Sequence, residues 1–278
     1  MTAIKRFAVV ATILALGYAL ATPSSQALSG KCTSGISVKE GVRYTCVGKK
    51  WQVSPLRGTV VALAAASLMD VAPALERGFT RIYPQSDLIF SFGGSGTLAQ
   101  QAINGVPADL FLSAGPAPMK LAADKNALAG SSKDFASNSL VIAVLRENPA
   151  HIASIADLSR ATIAICAAEV PCGALTQSVA KAAKITLKPA TYELSVKAVE
   201  TKVLLGEVDA GLIYRTDVLS NARLTAIEIP EAGSLKTVYS IAPLPSSATN
   251  KTTRDAFIFF LLSPKGQLIL SQYGFAKP

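Results

Sequence analysis

Residues 59–81 read TVVALAAASLMDVAPALERGFTR, and this stretch decides the fold class. The uninterrupted apolar run 59–65 is typical of a strand that is buried on both faces of a sheet. Within 67–81 the apolar residues recur at helical spacing, at Leu68, Val71, Ala72, Leu75 and Phe79. A buried strand followed at once by an amphipathic helix predicts a βα unit, and hence an α/β protein with a mostly parallel sheet.

The same alternation continues to the end of the chain. Further strands are predicted at 88–92, 108–113, 138–145, 162–166, 210–214 and 238–244. Helices are predicted at 97–104, from 118, at 173–184, at 195–205 and around 257–262. This order predicts two Rossmann-like α/β lobes that are joined by two crossings and separated by a cleft. We assign 58–139 and 239–278 to lobe 1, and 140–238 to lobe 2.

The N-terminus has the pattern of a secretory signal peptide. Lys5 and Arg6 precede the apolar run 7–20, and Ser25-Gln26-Ala27 places small residues at a cleavage position. We therefore predict a signal peptide over 1–27 and an exported protein, either periplasmic or at the cell surface. Retention of this segment as an uncleaved anchor stays open. No later apolar run reaches the roughly 18 residues of a membrane span, so an integral membrane protein is not expected.

Four cysteines follow the signal segment. In an exported protein they favour two disulfides, and their spacing favours local pairs. Cys32 and Cys46 flank strand-like runs and turn glycines, which predicts a small disulfide-stapled β-hairpin module within 28–57. Cys166 and Cys172 would close a smaller loop, with two buried thiols as the alternative. Lipid anchoring through Cys32 is less favoured, because the residue before it is not small.

Positive charge is concentrated near the N-terminus. The chain has 27 basic and 18 acidic residues, and 28–57 contains six of the basic residues but only Glu40 as an acidic one. This basic module could contact an anionic cell-wall polymer or a membrane surface, or it could be a small solvated domain. Nucleic acid is not an expected partner, since no basic stripe alternates with aromatic residues.

His151 is the single histidine of the chain. It lies in a loop-like stretch, and we predict a position on the surface. One histidine excludes the usual multi-histidine metal sites, and this one has no evident partner for Ser-His-Asp chemistry. A nucleophile turn of the G-x-S-x-G type is also missing from the sequence. We therefore expect no catalytic residues, no metal bound directly by side chains and no cofactor.

Small or hydroxyl residues stand where predicted strands end and helices begin. These positions are Ser67, Ser95, the turn 170–173, and Ser195 with Val196. Helix starts expose unpaired N–H groups and a partial positive charge, so several of them around one cleft would bind an anion without lysine or arginine. Each serine could instead be only a helix cap. Tyr214 ends a predicted strand, where its hydroxyl would face the same cleft or simply accompany a packed ring.

The glycine-rich turn 93–96 would let the backbone approach a ligand closely. Residues 94–99 also match the dinucleotide pattern G-x-G-x-x-A. We discount this match, because an exported protein meets little nicotinamide cofactor. In addition, no acidic residue follows at a strand end where it could hold a ribose.

Seven segments form a recognisable set in their order and spacing. They are AAASL (64–68), FGGSGTLA (92–99), GVPADLFLSA (105–114), VPCG (170–173), DAGLIYRTD (209–217), LSPKGQ (262–267) and YGF (273–275). With this set the chain resembles the molybdate-binding proteins of bacterial ABC importers, a class of two-lobed periplasmic binding proteins. The resemblance spans about 59–278 and implies the type II periplasmic binding protein fold.

The resemblance implies five molybdate-binding positions. Ser67 and Ser95 would supply hydroxyl and backbone N–H groups from lobe 1. Cys172 and Val196 would supply backbone N–H groups from lobe 2, and Tyr214 would supply its hydroxyl. The ligand implied is molybdate, with tungstate as a second ligand, and the lobes would close over it by a hinge motion.

Three features depart from the family pattern. The family often has alanine where Cys172 stands and aspartate where Gly115 stands, and it lacks a basic module like 28–57. The alanine difference is harmless if only the backbone donates. A disulfide from Cys166 to Cys172 would then hold this donor loop in place.

The resemblance further implies a monomeric receptor, not an enzyme, that delivers its ligand to the membrane permease of a molybdate ABC importer. All the matched groups are donors and none is a carboxylate, so the pocket favours a fully ionised tetrahedral dianion. Phosphate near neutral pH carries a proton that would need an acceptor. The alternatives are a receptor for another oxyanion, such as sulfate or tungstate alone, and a wall-associated interaction protein acting through 28–57. A hydrolase is the least favoured reading.

Overall fold

The computed structural model describes residue 28, residues 30–245 and residues 248–278. The predicted signal peptide, 1–27, lies outside the described residues. Within the part of the chain that is described, no helix has both the length and the apolar character needed to cross a membrane. The architecture is mixed α/β, with two sheet-containing lobes and a small N-terminal sheet, which confirms the predicted fold class.

The N-terminal module, 28–57, contains three antiparallel strands, where the sequence predicts a two-stranded hairpin. The strands are β1 (Ile36–Lys39), β2 (Val42–Val47) and β3 (Lys50–Val53), in the order β1-β2-β3. A disulfide between Cys32 and Cys46 ties the start of the module to β2. The third strand, KWQV, has only four residues, too few for a period-two pattern to stand out from the flanking loops.

Lobe 1 begins with four strands and three helices. In chain order these are β4 (Arg57–Ala65), α1 (Ala72–Thr80), β5 (Gln85–Gly93), α2 (Ser95–Ile103), β6 (Leu110–Ala114), α3 (Pro116–Asp124) and β7 (Lys133–Asn138). A short 3-10 turn, Ala66–Leu68, follows β4 directly.

Lobe 2 contains five strands and three helices in the described chain. In order these are β8 (Leu140–Leu145), β9 (Ile163–Cys166), α4 (Pro171–Ala182), β10 (Thr191–Glu193), α5 (Val196–Leu204), β11 (Ala210–Tyr214), α6 (Arg215–Leu219) and β12 (Leu224–Ile227). Two further 3-10 turns span Ile155–Ser159 and Pro230–Ala232. The chain then returns to lobe 1 as β13 (Thr237–Pro243), α7 (Ala248–Leu262) and α8 (Pro264–Gln272).

The sheet of lobe 1 has the order β5-β4-β6-β13-β7. Strand β4 pairs in parallel with β5 and β6, whereas β13 pairs antiparallel with β6 and β7. Two hydrophobic clusters cover the sheet, one involving α1 and α7 and the other α2 and α3. Burial on both faces explains the apolar run in β4, and the parallel strands place their carboxyl ends at one edge.

The sheet of lobe 2 has the order β10-β9-β11-β8-β12. Strand β9 pairs in parallel with β10 and β11, while β8 pairs antiparallel with β11 and β12. A single hydrophobic cluster packs around this sheet.

The first crossing between the lobes occurs at Ser139. The sequence predicts one strand over 138–145, but β7 ends at Asn138 in one sheet and β8 begins at Leu140 in the other. The apolar run therefore corresponds to β8, and the sequence did not predict β7, whose first residues, Lys133 and Asp134, are polar and exposed. The second crossing runs from β12 to β13, and β13 enters the lobe 1 sheet at Thr237.

The predicted helix over 67–81 is divided in two. Residues 66–68 form the 3-10 turn, and α1 begins only at Ala72. Pro73 explains the break, because proline lacks an N–H group and is tolerated in the first turn of a helix but not in its interior. Ser67 is thereby held immediately beyond the carboxyl end of β4.

The N-terminal module packs on lobe 1. The backbone N–H of Arg43 donates to the Tyr83 hydroxyl at 2.7 Å. Gly41 lies so close to the loop between α7 and α8 that a Cβ atom there would stand 2.5 Å from the Ser263 Cβ. Gly41 also has a φ of +78°, so this turn tolerates only glycine without strain.

Candidate functional site

A small cavity lies between the two lobes at the carboxyl ends of their parallel strands. It is lined by Ala65, Ala66, Ser67, Gly93, Gly94, Ser95, Ala114, Val170, Pro171, Cys172, Ser195, Val196 and Tyr214. The five residues predicted from the sequence as binding positions are therefore all at this cavity. Its volume is about 20 Å³. This is room for one small solute.

Helix starts from both lobes point at the cavity. Ser95 is the first residue of α2, Cys172 is the second of α4, and Val196 is the first of α5. The first N–H groups of a helix have no partner within it and carry a partial positive charge. No side chain caps the N-terminus of α2 or α4, and at α5 the Ser195 side chain accepts from the later Ala198 N–H. The earlier N–H groups are left for a ligand.

Three hydroxyl groups complete the lining. The Ser95 oxygen accepts a hydrogen bond from the Ala114 backbone N–H at 3.0 Å. The Ser67 oxygen lies 2.8 Å from the Tyr239 hydroxyl. The Tyr214 hydroxyl donates to Thr237 Oγ1 over a longer 3.2 Å. Burial raises the pKa of Tyr214, so its hydroxyl remains a proton donor at neutral pH.

The cavity lining contains no charged side chain among the residues described there. Its positive character comes from backbone and hydroxyl dipoles alone. Such a set of donors can surround a small anion, and it offers no carboxylate to accept a proton from one.

A charged cluster lies beside the cavity, centred on Lys197. The Lys197 ammonium is 2.6 Å from an Asp70 carboxylate oxygen, 2.7 Å from Glu200 and 2.9 Å from Asp217. Burial alone would lower the pKa of Lys197, but the surrounding carboxylates raise it. Burial raises the pKa of Asp217 to about 7, against the lowering effect of Lys197. Sequence patterns could show only Lys197 and Glu200 one helical turn apart, because Asp70 and Asp217 come from distant segments.

The lobes touch on both sides of the cavity, so the structure is a closed form. A Cβ atom on Gly94 of lobe 1 would stand only 2.3 Å from the Leu194 carbonyl oxygen of lobe 2. On another side, a Cβ atom on Gly115 would stand 3.1 Å from Pro171 Cβ. Gly115, a departure from the family pattern, therefore lies at the meeting surface of the lobes.

The Cys166–Cys172 disulfide joins the end of β9 to the first turn of α4. The structure thus contains both local pairs that the sequence favours. Gly173 is packed beneath this loop, where a Cβ atom would come within 1.9 Å of the Ala167 carbonyl oxygen. The loop that carries the Cys172 N–H group is consequently fixed by a covalent bond and by close backbone packing.

The remaining predicted positions lie outside the cavity or shape its backbone. His151 is exposed, as predicted. Gly94 lines the cavity as the N-cap of α2, in keeping with a close backbone approach. Sequence reasoning missed Thr237 and Tyr239, which hydrogen-bond the Tyr214 and Ser67 hydroxyls. Both lie in an apolar strand, where no pattern distinguishes them from core residues.

The sequence profile of the family described as bacterial extracellular solute-binding protein matches residues 60–276. The chain belongs to this family. The molybdate-binding protein ModA of Mycobacterium tuberculosis H37Rv is 39% identical to this solute-binding protein over 223 residues, which are 79% of this chain and 85% of that one. ModA of Escherichia coli K12 is 28% identical over 231 residues, which are 78% of this chain and 89% of that one.

A solved structure extends the likeness to the fold. The periplasmic molybdate-binding protein of Azotobacter vinelandii has a TM-score of 0.66 to this solute-binding protein and is 17% identical. The match covers 79% of this chain and 99% of that one. The resemblance identified from the sequence segments is thereby confirmed.

Proposed function

We propose that this solute-binding protein is an exported receptor that captures molybdate between its lobes and delivers it to the permease of an ABC importer. Tungstate, which has the same charge and shape, is proposed as a second ligand. The observation that carries the proposal is the uncharged, closed cavity lined by hydroxyl groups and helix-start N–H groups of both lobes. The 39% identity to a molybdate-binding protein supports the choice of anion.

In the proposed complex, lobe 1 holds one side of the anion through the hydroxyl and N–H groups of Ser67 and Ser95. Lobe 2 holds the other side through the N–H groups of Cys172 and Val196 and through the hydroxyl of Tyr214, whose proton turns from Thr237 to the anion. A buried dianion is costly unless donors surround it, and here the donors come together only when the lobes close. Affinity should therefore depend on closure.

The same donor set argues against catalysis and for binding alone. No general base or nucleophile–base pair lines the described cavity, since its polar side chains are serine, tyrosine and disulfide-bonded cysteine. We propose that the protein acts as a monomer without a cofactor. Contact of the basic module 28–57 with an anionic cell-wall polymer or membrane surface is a further proposal, supported by its excess of lysine and arginine.

The proposal is tested by thermal melting of anion-free protein with molybdate, tungstate, sulfate or phosphate. A ligand at about 100 times its dissociation constant stabilises the folded state by roughly 2.7 kcal/mol. We expect a rise in melting temperature with molybdate and tungstate. A rise with sulfate alone would replace the proposal with a receptor for that anion. No rise with any anion would favour the interaction-protein reading.

The residue assignments are tested by Ser67→Ala and Ser95→Ala. Each removes a hydrogen bond to a charged ligand, so we expect molybdate affinity to fall about tenfold or more in each variant. Ser271→Ala is the matched control, because its hydroxyl bonds only to the Leu268 carbonyl on the exposed side of α8. Wild-type affinity in both site variants would refute the assignment.

A further inference from the structure

A second tyrosine lies just behind the cavity, in the strand that returns from lobe 2. Tyr239 is fully buried, and its hydroxyl is 2.8 Å from Ser67 Oγ. The pairing of β13 with β7 is irregular between Tyr239 and Ser240, and such irregularities redirect side chains. The Tyr239 ring also packs edge-on against the Tyr214 ring, with centroids 6.1 Å apart. Tyr239 thus contacts one proposed binding residue from each lobe.

The direction of the hydrogen bond between Tyr239 and Ser67 follows from what each hydroxyl needs. Burial raises the pKa of Tyr239 well above its ordinary range, so the phenol keeps its proton. A buried O–H group requires an acceptor, and the Ser67 oxygen is the acceptor within reach in the described chain. Tyr239 therefore donates to Ser67, and the Ser67 proton is free to point into the cavity.

The Ser95 hydroxyl is also held by a hydrogen bond that it accepts, here from a backbone N–H group. Its oxygen accepts from the Ala114 backbone N–H at 3.0 Å, so its proton is also free for the cavity. A backbone N–H group can only donate, whereas a tyrosine hydroxyl can donate or accept. The backbone therefore fixes the Ser95 hydroxyl as a donor to the cavity. The Ser67 hydroxyl depends for this on the Tyr239 side chain, which can be replaced by mutation.

We propose that Tyr239 is a positioning residue that holds the Ser67 hydroxyl as a donor to the bound anion and thereby helps to exclude anions that carry a proton. This inference rests on the proposed anion-binding function. To accept a proton from hydrogenphosphate, Ser67 would have to turn its own proton towards Tyr239. That position is already filled by the Tyr239 proton.

Tyr239→Phe removes the hydroxyl and keeps the buried ring. We expect molybdate affinity to fall about three- to tenfold, the loss of one hydrogen bond. The deciding measurement is the ratio of sulfate to phosphate affinity at pH 8, obtained by competition against molybdate. These two anions have similar size and differ in the proton that phosphate carries. We expect the ratio of sulfate affinity to phosphate affinity to fall about tenfold in Tyr239→Phe, because the Ser67 hydroxyl is then no longer held as a donor.

Tyr83→Phe is the matched control. Tyr83 is also a buried tyrosine of lobe 1, but its hydroxyl accepts from the Arg43 N–H at the N-terminal module. We expect this variant to lose stability without any change in the sulfate-to-phosphate ratio. The same change in ratio in both variants would show a general loosening of lobe 1 and would overturn the inference.

A double-mutant cycle with Ser67→Ala separates positioning from packing. If Tyr239 acts through Ser67, Tyr239→Phe should have little further effect once the Ser67 hydroxyl is absent. An equal loss with and without Ser67, or an unchanged ratio in Tyr239→Phe, would overturn this inference while leaving the molybdate receptor intact. Failure of the wild-type protein to bind any anion would overturn both proposals.

Discussion

Lys197 of lobe 2 and Asp70 of lobe 1 meet across the cleft, with the ammonium nitrogen 2.6 Å from a carboxylate oxygen. Lys197 directly follows Val196, so this ion pair lies next to a proposed donor of the cavity. Its partners Glu200 and Asp217 belong to its own lobe and remain with it when the cleft opens. The contact with Asp70 joins the two lobes, so we expect it to favour the closed form.

Asp70→Asn should weaken this closed form. Loss of about 1 kcal/mol from a partly exposed ion pair would lower molybdate affinity about fivefold, mainly through faster dissociation. Stopped-flow kinetics and calorimetry would measure both quantities. Asp124→Asn is the control, because Asp124 pairs with Lys120 on the exposed surface of α3 and neither residue lines the cavity. Equal dissociation rates in the two variants would contradict the expectation.

Gly94→Ala should prevent closure without disturbing lobe 1. The backbone angles of Gly94 are ordinary for alanine, but its Cβ atom would stand 2.3 Å from the Leu194 carbonyl oxygen of lobe 2. We expect at least a tenfold loss of molybdate affinity, and no ligand-induced decrease in the radius of gyration by X-ray scattering. Gly96→Ala, where nothing lies within 4 Å of the new atom, should behave as wild type. Compaction of Gly94→Ala with ligand would refute this steric role.

The two disulfides should have separable effects. Replacing Cys166 and Cys172 by serine should lower stability by roughly 2 kcal/mol and also weaken molybdate binding, because this loop carries a proposed donor. Replacing Cys32 and Cys46 should lower stability by about 3 kcal/mol, the larger loop giving the larger effect, with unchanged affinity. Denaturant unfolding and calorimetry on both double variants would decide. Full affinity without the Cys166–Cys172 bond would show that packing alone holds the donor loop.

Asp217 should make stability fall as pH rises towards neutrality. Its pKa of about 7 in the folded protein is above the ordinary value near 4, so the folded state retains a proton that the unfolded state releases between these values. Its stabilising contribution is full below about pH 4 and is lost as pH rises through about 7. The groups facing it are Lys197, Glu200, Asp70, Tyr214 and Tyr239.

Asp217→Asn should remove this contribution. We expect the wild-type protein to lose on the order of a few kcal/mol more than the variant between pH 5 and pH 7.5, in unfolding free energies from denaturant titration. Asp124→Asn should follow the wild-type curve. Parallel curves for wild type and Asp217→Asn would show that Asp217 is ionised throughout this range.

The sequence predicted those features that depend on local patterns. The run 59–81 identified the βα unit, and the serines at helix starts identified the cavity edge. Features that depend on long-range geometry were not accessible. Tyr239 looks like any core aromatic until the fold places it against Ser67, and Asp70 and Lys197 are separated by 127 residues. Strand β7 was missed for a different reason, since its first residues, Lys133 and Asp134, are polar and exposed and give no apolar run.

If the N-terminal module attaches the protein to another surface, it decides which lobe moves when the cleft closes. Its contacts through Arg43 and Gly41 are with lobe 1, so the module and lobe 1 travel as one body. Any attachment made through residues 28–57 would hold lobe 1 in place, and lobe 2 would then make the closing movement. Lobe 2 would then bring Cys172, Val196 and Tyr214 towards an anion that is already bound by Ser67 and Ser95.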